Sequence, residues 1–148
     1  MPFKQPISVL LVIYTAALDV LLLERADFPD GWQSVTGSRD DDETARETAL
    51  RELAEETGLD ASNYVLTDWQ LQNVYDIYSK WAHRYAPGTK QNTEHVFGLQ
   101  LSEQVAIQLA PREHLSYQWL PWREAAGKVF SPSNRTAILQ LPERLHHD

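Results

Sequence analysis

Three glutamates stand close together in the sequence, at positions that a helix would bring onto one face: Glu52, Glu55 and Glu56. Successive residues of an α-helix are about 100° apart, which places Glu56 roughly 40° from Glu52 and Glu55 roughly 60° to its other side. Like charges at these spacings destabilise an isolated helix by roughly 0.2–0.5 kcal/mol per pair. The pattern therefore indicates either a well-solvated surface or a site for a cation.

The segment around these glutamates is also strongly acidic. Residues 39–56 contain eight acids against three arginines, so the segment carries five of the eight net negative charges of the chain. Most charged runs are simply solvated. A dense set of carboxylate oxygens in a chain without Cys, however, suits a hard divalent cation such as Mg²⁺. Zinc, which favours Cys and His ligands, fits the segment less well.

The glutamates belong to a longer pattern with fixed spacing. Gly37, Glu43, the run Arg51-Glu52-Leu53, the pair Glu55-Glu56 and the pair Gly58-Leu59 reproduce the Nudix box. A chance match in a chain of this length has a probability on the order of 10⁻⁸, from average residue frequencies. The segment resembles the loop–helix–loop with which Nudix hydrolases bind Mg²⁺ and cleave substrates built as a nucleoside diphosphate linked to another group.

The resemblance implies a fold and a set of roles. The fold is α+β, the α/β/α sandwich of the family with a mixed β-sheet. Glu52, Glu55 and Glu56 are the implied catalytic metal ligands, Arg51 orients them, and Glu43 braces the motif. Phosphoryl transfer needs charge neutralisation and a positioned, activated water, which bound Mg²⁺ provides. Which group accepts the proton of that water is left open.

Outside the box, the chain resembles one branch of the family, the bacterial dihydroneopterin triphosphate pyrophosphatases. Thr36-Gly37-Ser38 replaces the Pro-Gly-Gly of many family members, which points toward this branch. The branch implies the release of pyrophosphate from dihydroneopterin triphosphate in folate biosynthesis, with the monophosphate as the other product. The matching segments are residues 4–8, 32–38, 83–88, 92–94, 113–115 and 133–135.

The same resemblance implies further site residues. Glu113, in a loop before a predicted strand, is the implied metal ligand outside the helix. Lys4 and Arg25 can offset the charge of a triphosphate. The planar pterin can stack on an aromatic ring such as Tyr75, Tyr78 or Trp32, although an aromatic on a strand is more often part of the core. The implied substrate contacts are Lys4, Arg25, Thr36, Tyr75, Asp76, Ile77, Tyr78 and Ser131.

Strands and helices must position these residues. The pattern predicts a hairpin of buried strands, a loop, and a central helix from Glu43 to Gly58, where Gly58 ends the helix. Strands and a short helix follow. A last helix begins with Ser131 as N-cap and Pro132 at the first position, and runs through Leu141. The hairpin covers 7–14 and 20–23, the loop 25–31, the later strands 65–78, 95–101 and 115–120, and the short helix 121–126.

Length and composition limit the remaining possibilities. A chain of 148 residues and 17.0 kDa, 43% hydrophobic, is the size of one domain, which we expect to span residues 1–148. The net charge of −8 and the pI near 5.0 argue against a nucleic-acid partner. The N-terminal apolar run is too short to span a membrane. We expect a cytoplasmic enzyme acting on a small-molecule polyphosphate, and the oligomeric state stays open.

Two other functions remain compatible with the sequence. The first is a Nudix pyrophosphohydrolase that acts on damaged or non-standard nucleoside triphosphates. The second is a non-catalytic Nudix fold retained as a ligand-binding module. Loss of the motif glutamates would favour the second alternative, but all of them are present here.

Overall fold

Two strands near the N-terminus form the centre of a β-sheet. The computed structural model describes residues 3–145, in which β1 (Ile7–Thr15) and β2 (Asp19–Arg25) form the predicted hairpin. Most residues of both strands are buried, because their side chains are largely aliphatic and helices cover both faces of the sheet.

The described sheet has seven strands and mixed pairing. β1 pairs in parallel with β6 (Gln91–Leu101) and antiparallel with β4 (Val35–Ser38). β5 (Val65–Asp76) lies antiparallel beside β6. The remaining two strands both pair antiparallel with β2, and they are β3 (Trp32–Gln33) and β7 (His114–Pro121).

Helices cover the two faces of this sheet. Successive side chains of a strand point to opposite faces, so β1 contributes Val9 and Leu11 to one core and Leu10 and Val12 to the other. The first core lies under α1 (Ala45–Thr57). The second lies under α2 (Trp122–Lys128) and α3 (Pro132–Leu139). The predicted α+β fold with an α/β/α sandwich and a mixed sheet is confirmed.

The central helix has strong local signals at both ends. The Thr44 side chain accepts a hydrogen bond from the backbone N–H of Glu47, and the Glu47 carboxylate accepts one from the backbone N–H of Thr44. Gly58 ends the helix with a left-handed φ of 74°. The helix begins two residues after the predicted start at Glu43, because Thr44 is the capping residue.

Several other boundaries differ from the sequence prediction. β6 begins at Gln91 and not at residue 95, and β5 ends at Asp76, before a 3₁₀ turn at Ser79–Arg84. The last predicted helix ends at Leu139, and α4 (Leu141–Arg144) follows as a separate turn. A proline at position 142 cannot donate the helical hydrogen bond and its ring opposes the carbonyl four residues earlier, so one continuous helix is excluded.

Within residues 3–145, no helix is both long enough and apolar enough to cross a bilayer.

Candidate active site

A cavity of about 860 Å³ opens at one end of the sheet. The first residues of β1 and the last residues of β2, β4 and β5 reach it, together with one end of β7, the start of α3 and one side of α1. All thirteen site residues implied by the sequence line this cavity. They are Lys4, Arg25, Thr36, Arg51, Glu52, Glu55, Glu56, Tyr75, Asp76, Ile77, Tyr78, Glu113 and Ser131.

The three glutamates of α1 share one side of the helix but differ in exposure. Glu52 is 8% exposed and Glu56 4%, whereas the side chain of Glu55 is 53% exposed. Burial raises the pKa of Glu52 to about 7, and the charges of Glu55 and Glu113 add to the shift. Burial likewise raises the pKa of Glu56 well above its usual range, with further contributions from Glu52 and Glu113. Two buried acids side by side are costly to ionise unless a cation accompanies them.

Arg51 lies at the centre of the acidic cluster. Its Nε and Nη2 donate to the two carboxylate oxygens of Glu43 at 2.8 and 3.0 Å. Its Nη1 donates to Glu52 at 2.8 Å and to Glu55 at 3.3 Å, while Nη2 also donates to the Ser38 carbonyl at 2.9 Å. The two bonds from Arg51 to Glu43 are the main reason that the pKa of Glu43 is lowered to about 2. The guanidinium therefore fixes the direction of the Glu52 carboxylate.

The strand beside α1 leaves no space for another side chain here. Gly37 on β4 faces α1, and an added Cβ at this position would overlap the Glu52 carboxylate. The glycine thus allows α1 to approach the sheet closely enough for Glu52 to reach the cavity.

A second group of possible ligand atoms joins α1 to the start of β7. One ligand atom each from Glu56, Glu113 and His114 lies within 4.8 Å of the others. His114 is buried, and its Nε2 lies 3.9 Å from Oε1 of Glu56. Burial and, to a lesser degree, the charge of Arg25 lower the pKa of His114 to about 4, so its ring is neutral at neutral pH.

Two atoms of this group are buried without a hydrogen-bond partner in residues 3–145: Oε2 of Glu56 and Nδ1 of His114. Buried polar atoms are nearly always paired, and a carboxylate oxygen that faces other carboxylates is well suited to a divalent cation. The residues therefore fit a metal. Sequence reasoning missed His114, whose only signal was its place beside Glu113 in a segment that resembles the family.

Positive groups gather on another wall of the cavity. Arg25 donates to Asp27 through Nε at 2.7 Å and through Nη2 at 2.8 Å, and Arg84 donates to the same carboxylate at 2.8 Å. These bonds, led by those from Arg25, hold the pKa of Asp27 well below its usual range. Burial and the two nearby guanidinium groups lower the pKa of the Lys4 ammonium. Asp27 and Arg84 were not among the predicted site residues.

Aromatic side chains close the same wall. Tyr78, Trp81, Phe28 and Phe130 pack with ring centroids 5.2–6.2 Å apart, and the Arg25 guanidinium lies 4.4 Å from the centroid of one Trp81 ring. All of these rings except Phe28 line the cavity.

Other candidate contacts have partners within the protein. Trp32, one of the three rings proposed to stack on the substrate, lies in the core under α2 and α3 and does not line the cavity, so that suggestion is wrong. The Tyr75 hydroxyl accepts a hydrogen bond from Asn92 at 3.1 Å, and the Thr36 hydroxyl donates to the Val9 carbonyl at 2.8 Å. Both hydroxyls are thus held in fixed positions at the cavity wall.

Comparisons with known proteins find relatives that match most of the chain. The family model described as the NUDIX domain matches residues 4–141. The dihydroneopterin triphosphate diphosphatase of Escherichia coli strain K12 is 45% identical over 94% of this chain and 93% of its own, and that of Haemophilus influenzae is 38% identical over 93% and 88%. A solved structure of the E. coli dihydroneopterin triphosphate pyrophosphohydrolase superposes with a TM-score of 0.91 at 43% identity, and covers 97% of this chain and 99% of that one.

Proposed function

The chain belongs to the Nudix hydrolase family, and we propose that it hydrolyses dihydroneopterin triphosphate to dihydroneopterin monophosphate and pyrophosphate. The similarity to proteins named for this activity extends over more than nine tenths of the chain. The observation that carries the proposal is one cavity lined by both the buried pair Glu52 and Glu56 and a group of positive side chains. We call this group the cationic wall, and it consists of Lys4, Arg25 and Arg84.

The cofactor of this reaction is Mg²⁺ in our proposal. Glu52, Glu55, Glu56 and Glu113 are the proposed ligands, since all four carboxylates line the cavity and oxygen donors suit this ion. Arg51 acts as a positioning residue, because it holds the Glu52 carboxylate in one direction. Bound Mg²⁺ would neutralise charge on the phosphate oxygens and lower the pKa of the attacking water.

The substrate is held by the opposite wall. Lys4 and Arg25 bind the triphosphate in this proposal, and Arg84 is added to them because it shares the carboxylate of Asp27 with Arg25. Tyr78 has an aromatic ring at the cavity, where it can stack on the pterin. The other proposed contacts are Thr36, Tyr75, Asp76, Ile77 and Ser131.

The wider setting follows from the same substrate. We propose that residues 1–148 form one Nudix domain, which is supported by the family match over 4–141 and by the shared sheet. We further propose a cytoplasmic enzyme of folate biosynthesis whose partner is a small molecule and neither nucleic acid nor a membrane, in keeping with the net charge of −8.

Steady-state release of pyrophosphate tests the proposal. Wild-type protein with Mg²⁺ should show a higher kcat/KM for dihydroneopterin triphosphate than for GTP, ATP or 8-oxo-dGTP. Glu56→Gln should lower kcat by roughly 10²-fold or more, while Glu103→Gln, a change of exposed charge away from the cavity, should have no effect. A clear preference for a nucleotide would refute the substrate, and absence of metal-dependent release from every compound would favour a binding module.

A further inference from the structure

A further acidic residue of the cavity, Glu94, has no place in the proposed metal site. Glu94 on β6 is only 4% exposed, yet it lines the cavity. It stands beside Ser8 in the parallel pairing with β1, and the next residue on its face, Val96, lies in the core under α2 and α3. Glu94 therefore lies on the sheet face opposite to α1, away from Glu52 and Glu56.

The hydrogen bonds of Glu94 are incomplete on one side. The Ser133 hydroxyl donates to Oε1 at 2.8 Å, and the Asn73 side-chain amide donates to the same oxygen at 3.4 Å. Within residues 3–145, no hydrogen bond reaches Oε2 and no Lys, Arg or His forms an ion pair with this carboxylate. Burial raises the pKa of Glu94, because the ionised form lacks a counter-charge.

A buried carboxylate with a free oxygen favours ligands that bring N–H donors. Ser133 lies at the start of α3 next to Ser131, and the two hydroxyls are 3.0 Å apart. Tyr75, two residues beyond Asn73 on β5, lines the cavity as well. Glu94 therefore shares the cavity with two hydroxyl groups and an aromatic side chain, a setting that suits a flat heterocycle with donor groups on its edge.

We propose that Glu94 recognises the base of the substrate by accepting two parallel hydrogen bonds from an amino-pyrimidinone edge. In that edge a ring N–H and an exocyclic amino group lie side by side, with the spacing that a guanidinium presents to a carboxylate. A pterin and a guanine share this edge. The inference rests on the proposed function only for the choice of the pterin, since the same contact is available to guanine nucleotides.

This role is one of specificity and not of catalysis. Glu94 lies across the sheet from the proposed metal ligands, so its loss should weaken binding of the base and leave the hydrolytic step intact. The amide in Glu94→Gln would turn an NH₂ donor toward the donors of the base. Loss of a hydrogen bond to a charged group costs roughly ten- to hundred-fold in affinity.

The experiment compares GTP with ITP, which lacks only the exocyclic amino group. With Mg²⁺ and the full chain, wild type should show a lower KM for GTP than for ITP. Glu94→Gln should raise KM roughly ten- to hundred-fold for GTP and for dihydroneopterin triphosphate, with little change in kcat. The rise in KM should be smaller for ITP, which keeps the ring N–H but has no amino group to oppose the new NH₂ donor. Glu103→Gln should behave as wild type.

If the protein hydrolyses nucleotides too slowly for KM to be measured, calorimetric titration gives the same comparison as Kd values. The titrations use GTP and ITP with Ca²⁺ in place of Mg²⁺. Equal affinity of wild type for GTP and ITP would overturn the inference, as would an equal loss for all compounds in Glu94→Gln. If that variant does not fold, Glu94→Asp provides a second test, because it keeps the charge but draws it back from the cavity. In Glu94→Asp the Kd values for GTP and ITP should lie closer together than in wild type. A higher kcat/KM of wild type for GTP than for dihydroneopterin triphosphate would refute the proposed function. The ratio of the Kd values for GTP and ITP would still test the role of Glu94.

Discussion

The burial of Glu52 predicts that the free energy of unfolding of the metal-free protein decreases as the pH rises. The pKa of Glu52 is about 7 in the folded protein, against an ordinary value of 4.5. A pKa raised by folding means that the protonated form is favoured in the folded state. Its contribution to stability is complete below pH 4.5 and is lost as the pH rises to the folded pKa. At 1.36 kcal/mol for each pH unit, the loss is about 3 kcal/mol.

The perturbation is Glu52→Gln, which cannot titrate. Between pH 4.5 and pH 7.5, in the presence of a chelator, the free energy of unfolding of the variant should rise relative to wild type by about 3 kcal/mol. His114 acts in the opposite direction in each protein, because its lowered pKa of about 4 makes stability increase with pH up to 6.5. The difference between the two proteins removes that contribution.

Urea denaturation at half-unit steps of pH measures the difference directly. Glu103→Gln is the matched control, since it makes the same substitution at an exposed carboxylate away from the cavity. If the difference in free energy of unfolding between Glu52→Gln and wild type does not change from pH 4.5 to pH 7.5, Glu52 is not desolvated. A difference of opposite sign would show that its pKa is lowered by folding.

Three further predictions concern the contact between Gly37 and Glu52, the stability of α2 and the arginines that Asp27 holds. Gly37→Ala should displace the Glu52 carboxylate and lower kcat while circular dichroism shows an intact fold; unchanged turnover would contradict the close approach. Gly127→Ala, where an added Cβ meets no atom within 4 Å, should stabilise α2 by roughly 0.5–1 kcal/mol in urea denaturation, and a loss of stability would contradict this. Asp27→Asn should release Arg25 and Arg84 and raise the KM for dihydroneopterin triphosphate more than it lowers kcat. An unchanged KM would show that Asp27 does not position these two arginines for substrate binding.

The sequence predicted those parts of the fold that local chemistry determines. Gly58 ended the central helix as predicted, since a left-handed residue there satisfies the final carbonyls. The hairpin followed from two long aliphatic runs. β3 and β4, with two and four residues, were not predicted as strands, because runs this short carry no periodicity.

The sequence predicts a set of site residues, all of which line one cavity, but it does not predict their arrangement. Helical spacing placed Glu52, Glu55 and Glu56 on one face, yet it could not tell that the sheet would bury two of them and leave Glu55 exposed. Asp27 and His114 could not be singled out from the sequence, because their partners in the cavity come from distant segments, namely Arg84 for Asp27 and Glu56 for His114. Long-range contacts of this kind leave no regular pattern in a single sequence.

The central claim is that Glu52 and Glu56 hold a divalent cation against a triphosphate in this cavity. A crystal grown with Mn²⁺ in place of Mg²⁺ and with a non-hydrolysable triphosphate analogue tests it most directly, because anomalous scattering locates the metal. We predict a peak within coordination distance, roughly 2.0–2.3 Å, of both carboxylates and of a phosphate oxygen. A bound analogue with no anomalous peak at these two side chains would contradict the account.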